Sequence, residues 1–186
     1  MILDNIKSPN DLLKYMEENI KYGFIGKNGK IYDDPNSSEW NDWYNECIVQ
    51  DADGLIHSGY GTCWDQVELE RKWFEDNHYN FKTIYIQFEV GMERTMPTHT
   101  FLVFESNNKW YWFEHSFAKN KGIHEFDTLN DAIECVKDRQ LDYVIEMGIG
   151  TKRDREFVVD YEYFKPEKNI SVPDYLNHVT SCKYTR

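Results

Sequence analysis

The sequence predicts an α+β fold with helices first, then an antiparallel meander, then a mixed tail. Three observations point to it. Apolar residues recur at helical spacing up to Asn77 and then alternate from Ile84 onward. No regular βαβ alternation follows. The chain also holds 13 Tyr, 11 Phe and 6 Trp among 186 residues, too many large rings for a disordered chain, so a sizeable core is expected. No Pro/Ser/Gly tract, charge block or repeat marks a linker, and residues 1–186 read as one domain.

Each element has its own warrant. Ser8-Pro9-Asn10-Asp11 opens a helix with a cap residue, a proline at the first helical position and an acid three residues after the cap. Leu12, Tyr15, Met16 and Ile20 form its apolar face. Residues 27–39 are polar, with turn signals at Asn28-Gly29 and Asp33-Asp34-Pro35-Asn36. Trp40, Trp43, Tyr44 and Ile48 predict a second helix over residues 40–49, and Asp53-Gly54 with Ser58-Gly59 predict a loop over 51–61. A third helix is expected over residues 63–77, rich in good helix formers and with Cys63, Val67, Glu70 and Phe74 on one stripe.

Ile84, Ile86, Phe88 and Val90 then alternate as a half-buried strand does. Residues 98–105 and 110–116 are the next two strands, joined by a tight loop at Ser106-Asn107-Asn108-Lys109. Thr128 caps a helix over residues 127–139, with Leu129, Ala132, Ile133 and Val136 facing inward. Residues 156–164 read as a strand ended by Pro166, and Ser171-Val172-Pro173-Asp174 starts a short terminal helix.

Charge and cysteine usage restrict the function classes. Lys plus Arg is 21 and Asp plus Glu is 33, giving a net charge of −12. Such a chain repels phosphate backbones and anionic lipid, so neither nucleic acid nor a membrane is the expected partner. No apolar run approaches the roughly 20 residues of a spanning helix. Met1-Ile2-Leu3-Asp4-Asn5 lacks the basic-then-apolar pattern of a signal peptide, and a cytoplasmic location is expected. Cys47, Cys63, Cys135 and Cys182 form no CxxC pair and read as free thiols, with no cofactor implied.

The chemistry concentrates in Tyr60-Gly61-Thr62-Cys63-Trp64-Asp65. Gly59 and Gly61 allow a sharp backbone turn into a helix, and Cys63 falls at that helix's start. Unpaired N–H groups and the helix dipole there favour a thiolate, and the same N–H groups can donate to an oxyanion. A cysteine nucleophile needs a histidine to move protons and a third group to orient it. Among the six histidines, His99 begins the apolar run Thr100-Phe101-Leu102-Val103-Phe104. A hairpin loop of two or four residues centred on Asn107-Asn108 sets Phe101 opposite Glu114 and Thr100 opposite His115. His99, Phe101, Val103, Trp112 and Glu114 then share one sheet face. His99 and Glu114 become a diagonal pair roughly 7–8 Å apart at Cβ. His115 projects to the other face and is the runner-up.

These residues resemble a family. Tyr60-Gly61-Thr62-Cys63-Trp64 is similar to the nucleophile motif of the transglutaminase-like branch of the papain-like cysteine proteases. Thr98-His99-Thr100-Phe101-Leu102-Val103-Phe104 and Trp110-Tyr111-Trp112-Phe113-Glu114 resemble its histidine and acid strands. The resemblance covers about residues 55–118. It implies a nucleophile helix packed on an antiparallel sheet and a Cys63–His99–Glu114 triad. The implied reaction is acyl transfer through a thioester on a peptide or protein amide. Water as acceptor gives a protease, amidase or deamidase; an amine gives a transglutaminase. The acid departs from the family's usual Asp. His57 stands in the interval where the papain type carries an oxyanion glutamine, with Gln50 further off, and Trp64 and Trp112 are candidates for a substrate groove.

Two other readings stand beside it. The chain is a binding module that keeps the fold without activity, or Cys63, His57, His99 and Glu114 bind zinc, although their spacing matches no ordinary zinc site.

Overall fold

A computed structural model describes residues 2–34, 37, 43–90 and 93–182. The elements run α1 (Pro9–Asn19), β1 (Phe24–Gly26), β2 (Ile31–Tyr32), α2 (Trp43–Glu46), β3 (Cys47–Val49), α3 (Ala52–Ser58), α4 (Cys63–Asp76), β4 (Asn80–Val90), β5 (Glu93–Ser106), β6 (Lys109–Glu114), β7 (Gly122–Phe126), α5 (Leu129–Glu146), β8 (Val158–Glu162), β9 (Ile170–Ser171) and α6 (Val172–Ser181). The strands form two sheets, ordered β2-β1-β3-β9 and β7-β6-β5-β4-β8. Neighbours in both run antiparallel, and the molecule is α+β.

The five-stranded sheet is covered on both faces. Tyr85, Leu102, Phe104 and Phe113 pack with Leu69, Trp73 and Phe74 of α4. The Phe74 ring lies 4.7 Å from Phe104 and 5.7 Å from Phe113. On the opposite face Ile84, Ile86, Phe101, Val103 and Trp112 pack with Ala132, Ile133, Val136 and Val144 of α5. Two covered faces explain why residues 101–104 are apolar without alternation. They also correct the half-buried reading of β4: Thr83, Tyr85 and Gln87 are buried alongside Ile84 and Ile86.

The β5–β6 hairpin has the expected register, from Leu102 opposite Phe113 to Ser106 opposite Lys109. Asn107 and Asn108 form its turn with φ of 52° and 59°. Two left-handed residues in succession match the right-handed twist of the flanking strands, and asparagine tolerates that conformation better than most residues.

The N-terminal helix is capped as expected, with the Asp11 N–H donating to Ser8 Oγ. Four other expectations need correction. The helix expected over residues 40–49 is only α2, followed at once by strand β3; residues 40–42 lie outside the described residues. The loop expected over 51–61 contains α3. Its turn-like residues are caps: Asp51 Oδ1 accepts the Gly54 N–H at 2.9 Å, and Gly59 ends the helix at φ 68°. The strand expected over 156–164 is shortened by a 3-10 turn over Lys152–Phe157, and α5 runs past its expected end at residue 139. No helix among the described residues is long and apolar enough to cross a membrane.

Candidate active site

Local backbone chemistry fixes where Cys63 sits. The Lys21 N–H donates to Gly59 O at 2.8 Å, and the Gly61 N–H donates to Lys21 O at 3.0 Å. This clamp ties the segment before Cys63 to the chain between α1 and β1. Gly61 has no room for a side chain: a Cβ there would lie 2.5 Å from Leu55 Cδ1 and 2.7 Å from Asp65 Cβ. Thr62 is the N-cap of α4, and its N–H donates to Asp65 Oδ2 at 2.7 Å. The other Asp65 oxygen accepts the Gln50 N–H at 2.7 Å. Burial raises the Asp65 pKa to about 6 against these hydrogen bonds. Cys63 is the first residue of α4 and 6% exposed, and its N–H has no acceptor within the helix.

His99, 5% exposed, lies opposite Ile86 in β5. Its ring stacks on Phe101 at 6.0 Å and meets the edge of Phe117 at 5.4 Å. Nε2 is 2.7 Å from Glu114 Oε2. Burial lowers the His99 pKa, but the Glu114 charge and hydrogen bonds to Cys63 and Glu114 outweigh it and push it up to about 10. Nε2 serves Glu114, which leaves Nδ1 for the Cys63 sulfur.

Glu114 is 2% exposed and uses both oxygens. Oε2 accepts from His99 and, at 3.1 Å, from Trp112 Nε1. Oε1 accepts from Ser116 Oγ at 3.1 Å and from the Phe117 N–H at 2.7 Å. Burial raises its pKa, yet the His99 charge and these donors hold it below the usual value. At neutral pH the pair is therefore imidazolium and carboxylate. Glu70, two turns along α4 from Cys63, is buried and its pKa is raised well above normal, first by burial and then by the Glu114 charge. Its burial therefore disfavours a further negative charge near the pair.

His115 lies on the other face, as the register requires. Its Nδ1–H donates to Gln66 Oε1 at 2.7 Å, while Gln66 Nε2 donates to Gly61 O at 2.9 Å. Burial lowers its pKa to about 4, so it is neutral and, through Gln66, braces the loop that leads into Cys63.

Cys63 and His99 open together on a cavity of about 470 Å³, also lined by Tyr22, Phe117, Gln140 and Tyr143. Cys63 belongs to the α4 core, whereas His99 stacks on the α5 side of the sheet. Both nevertheless line the same cavity. The other sequence candidates lie elsewhere. His57 is exposed in the last turn of α3, outside the cavity lining. Trp64 is buried against Phe24 and Tyr175, at 6.1 and 5.4 Å between rings. Trp112 is buried and holds Glu114 instead of lining the cavity. Because His57 is apart from the rest, the four residues considered for zinc do not form one ligand set. No group of three His, Cys, Asp or Glu suited to a metal ion occurs among the described residues.

Sequence reasoning missed Tyr22, Phe117, Gln140 and Tyr143. Gln140 and Tyr143 lie on the part of α5 beyond its expected end, and Tyr22 sits in a segment with no motif. No protein-family model matches this chain, and comparison with curated proteins finds no similar one.

Proposed function

We propose that this chain is a cysteine-dependent acyl-transfer enzyme of the transglutaminase-like, papain-like type. Cys63 is the nucleophile, His99 the acid and base, and Glu114 the group that orients and charges His99. The observation that carries the proposal is His99, bonded to Glu114 at 2.7 Å and opening with Cys63 on one cavity.

The Cys63 thiolate attacks the carbonyl carbon of an amide in a peptide or protein, and the carbonyl electron pair moves onto oxygen. Collapse of that intermediate expels the amine, which takes the proton from His99 and leaves a thioester on Cys63. His99, now neutral, removes a proton from water as it attacks the thioester, and collapse releases the acid and restores the Cys63 thiolate beside protonated His99. An amine in place of water gives transamidation; the proposal favours hydrolysis, because no residue set for a second amine is evident. All four cysteines are free, which fits work in a reducing compartment such as the cytoplasm.

The test is acylation by p-nitrophenyl acetate, read by peptide mass spectrometry. The acetyl group should appear on Cys63 with a burst of p-nitrophenolate. It should vanish in Cys63→Ala and form far more slowly in His99→Ala. An unacylated Cys63 in the folded wild type would favour a non-catalytic binding module.

A further inference from the structure

The site as described lacks a side chain to stabilise the oxygen of the tetrahedral intermediate. His57 is exposed and outside the cavity. Gln50, the glutamine further off in the sequence, is buried and donates its Nε2–H to Tyr60 O at 2.8 Å. Within the cavity, Ser116 donates to Glu114, Lys119 is paired with Glu146, and Gln140 Nε2 donates to Pro97 O at 3.0 Å. Thr98 and Tyr143 also bring hydroxyls to the lining, but neither adjoins the backbone clamp that fixes Cys63. Tyr22 differs from all of these. It follows Lys21 directly, so the clamp between Lys21 and residues 59–61 that fixes Cys63 also fixes Tyr22. Its side chain is half exposed, at 50%, and it lines the cavity together with Cys63 and His99. Burial first, and then the Cys63 charge, push the phenol pKa above its ordinary value. A protonated phenol beside the nucleophile is a hydrogen-bond donor.

We propose that the Tyr22 hydroxyl and the Cys63 backbone N–H together form the oxyanion hole. The assignment rests on the Cys63–His99–Glu114 chemistry above. When the thiolate sulfur bonds to the carbonyl carbon, the π pair moves to oxygen, and that oxygen accepts hydrogen bonds from both donors. As the C=O re-forms, the leaving group departs with its bonding pair. The phenol keeps its proton throughout, so Tyr22 stabilises charge and transfers none. A donor that acts only on the developing oxyanion lowers the barrier without strengthening ground-state binding.

The experiment compares two reactions of Cys63 in wild type and Tyr22→Phe. Acylation by p-nitrophenyl acetate passes through an oxyanion. Alkylation by iodoacetamide displaces iodide at a saturated carbon and does not. Loss of one such donor typically costs about 10²–10³ in rate. Tyr22→Phe should therefore slow acylation on the order of 10²-fold, in kcat more than in KM, while alkylation stays within about three-fold of wild type. The ring is kept, and the alkylation rate reports that the nucleophile remains in place. Equal acylation rates in the two proteins overturn the Tyr22 assignment. A matching loss in both reactions also overturns it, because Tyr22 would then act on the thiolate or the loop. A wild type alkylated quickly at Cys63 but never acylated overturns the acyl-transfer chemistry itself.

Discussion

Replacing Glu114 by Gln removes one charge and almost no volume, and its consequences can be worked from four hydrogen bonds. Oε2 takes two N–H donors, from His99 and Trp112, and Oε1 takes Ser116 Oγ and the Phe117 N–H. An amide has one oxygen, so its NH₂ must face one of these donor pairs. The less costly orientation turns the NH₂ toward Ser116, whose hydroxyl can rotate to accept, and strands the Phe117 N–H. His99 keeps a hydrogen bond but loses its counter-charge. Removing one member of a buried ion pair typically costs about 3–5 kcal/mol, and that loss is expected at pH 6 by urea denaturation.

The pH dependence follows from the directions of the two shifts. The folded pKa of His99 is raised to about 10, so its contribution is complete below its ordinary 6.5 and fades as pH rises toward 10. The folded pKa of Glu114 is lowered from 4.5, so its contribution is present above 4.5 and fades as pH falls. The stability difference between wild type and Glu114→Gln should thus peak near pH 4.5–6.5 and shrink toward pH 10. In the variant the His99 pKa should drop by roughly two to three units, read from its ring resonances by NMR. A His99 that still titrates near pH 10 in Glu114→Gln, or a stability loss under about 1 kcal/mol at pH 6, would refute the pairing.

Three further outcomes are expected. Gly61→Ala must move Leu55 Cδ1 and Asp65 Cβ, costing about 1–3 kcal/mol and slowing Cys63 alkylation, read by urea melts and peptide mass spectrometry. Phe74→Ala empties the space between α4 and the sheet, and should lower stability by about 3–5 kcal/mol. His115 should remain neutral down to about pH 4 with its proton on Nδ1, as ¹⁵N-detected tautomer spectra would report; an Nε2–H tautomer would contradict the brace to Gln66.

The local signals that proved legible in the sequence are those that physical chemistry writes within a few residues. Ser8 and Thr128 cap their helices as expected, and Asn107-Asn108 sets the hairpin register that puts His99 and Glu114 on one face. The stripe of Cys63, Val67, Glu70 and Phe74 is one buried face of α4. What was illegible depends on distant contacts. The residues of α3 look like turn formers, because Asp51 and Gly59 are its caps and only tertiary packing decides that seven residues between them coil. The aromatic spacing over residues 40–49 suits a helix, but Cys47–Val49 is taken by pairing with β1 and β9. Tyr22 carries no motif; it reaches the cavity through backbone hydrogen bonds to residues about 40 positions away. Nothing local marks Asp65, Gln66 and Arg71 of α4 as buried, because their partners, Gln50, His115 and Thr83, lie on other elements.

The alkylation rate of each cysteine by iodoacetamide, followed against pH in wild type and His99→Ala, tests the central claim most directly. Cys47 is an internal standard, since burial pushes its thiol up to about 11 and keeps it inert. The account predicts that Cys63 reacts far faster than the other three at pH 6 and loses that advantage in His99→Ala. A Cys63 that reacts no faster than Cys135 or Cys182, or that keeps its rate without His99, would contradict it.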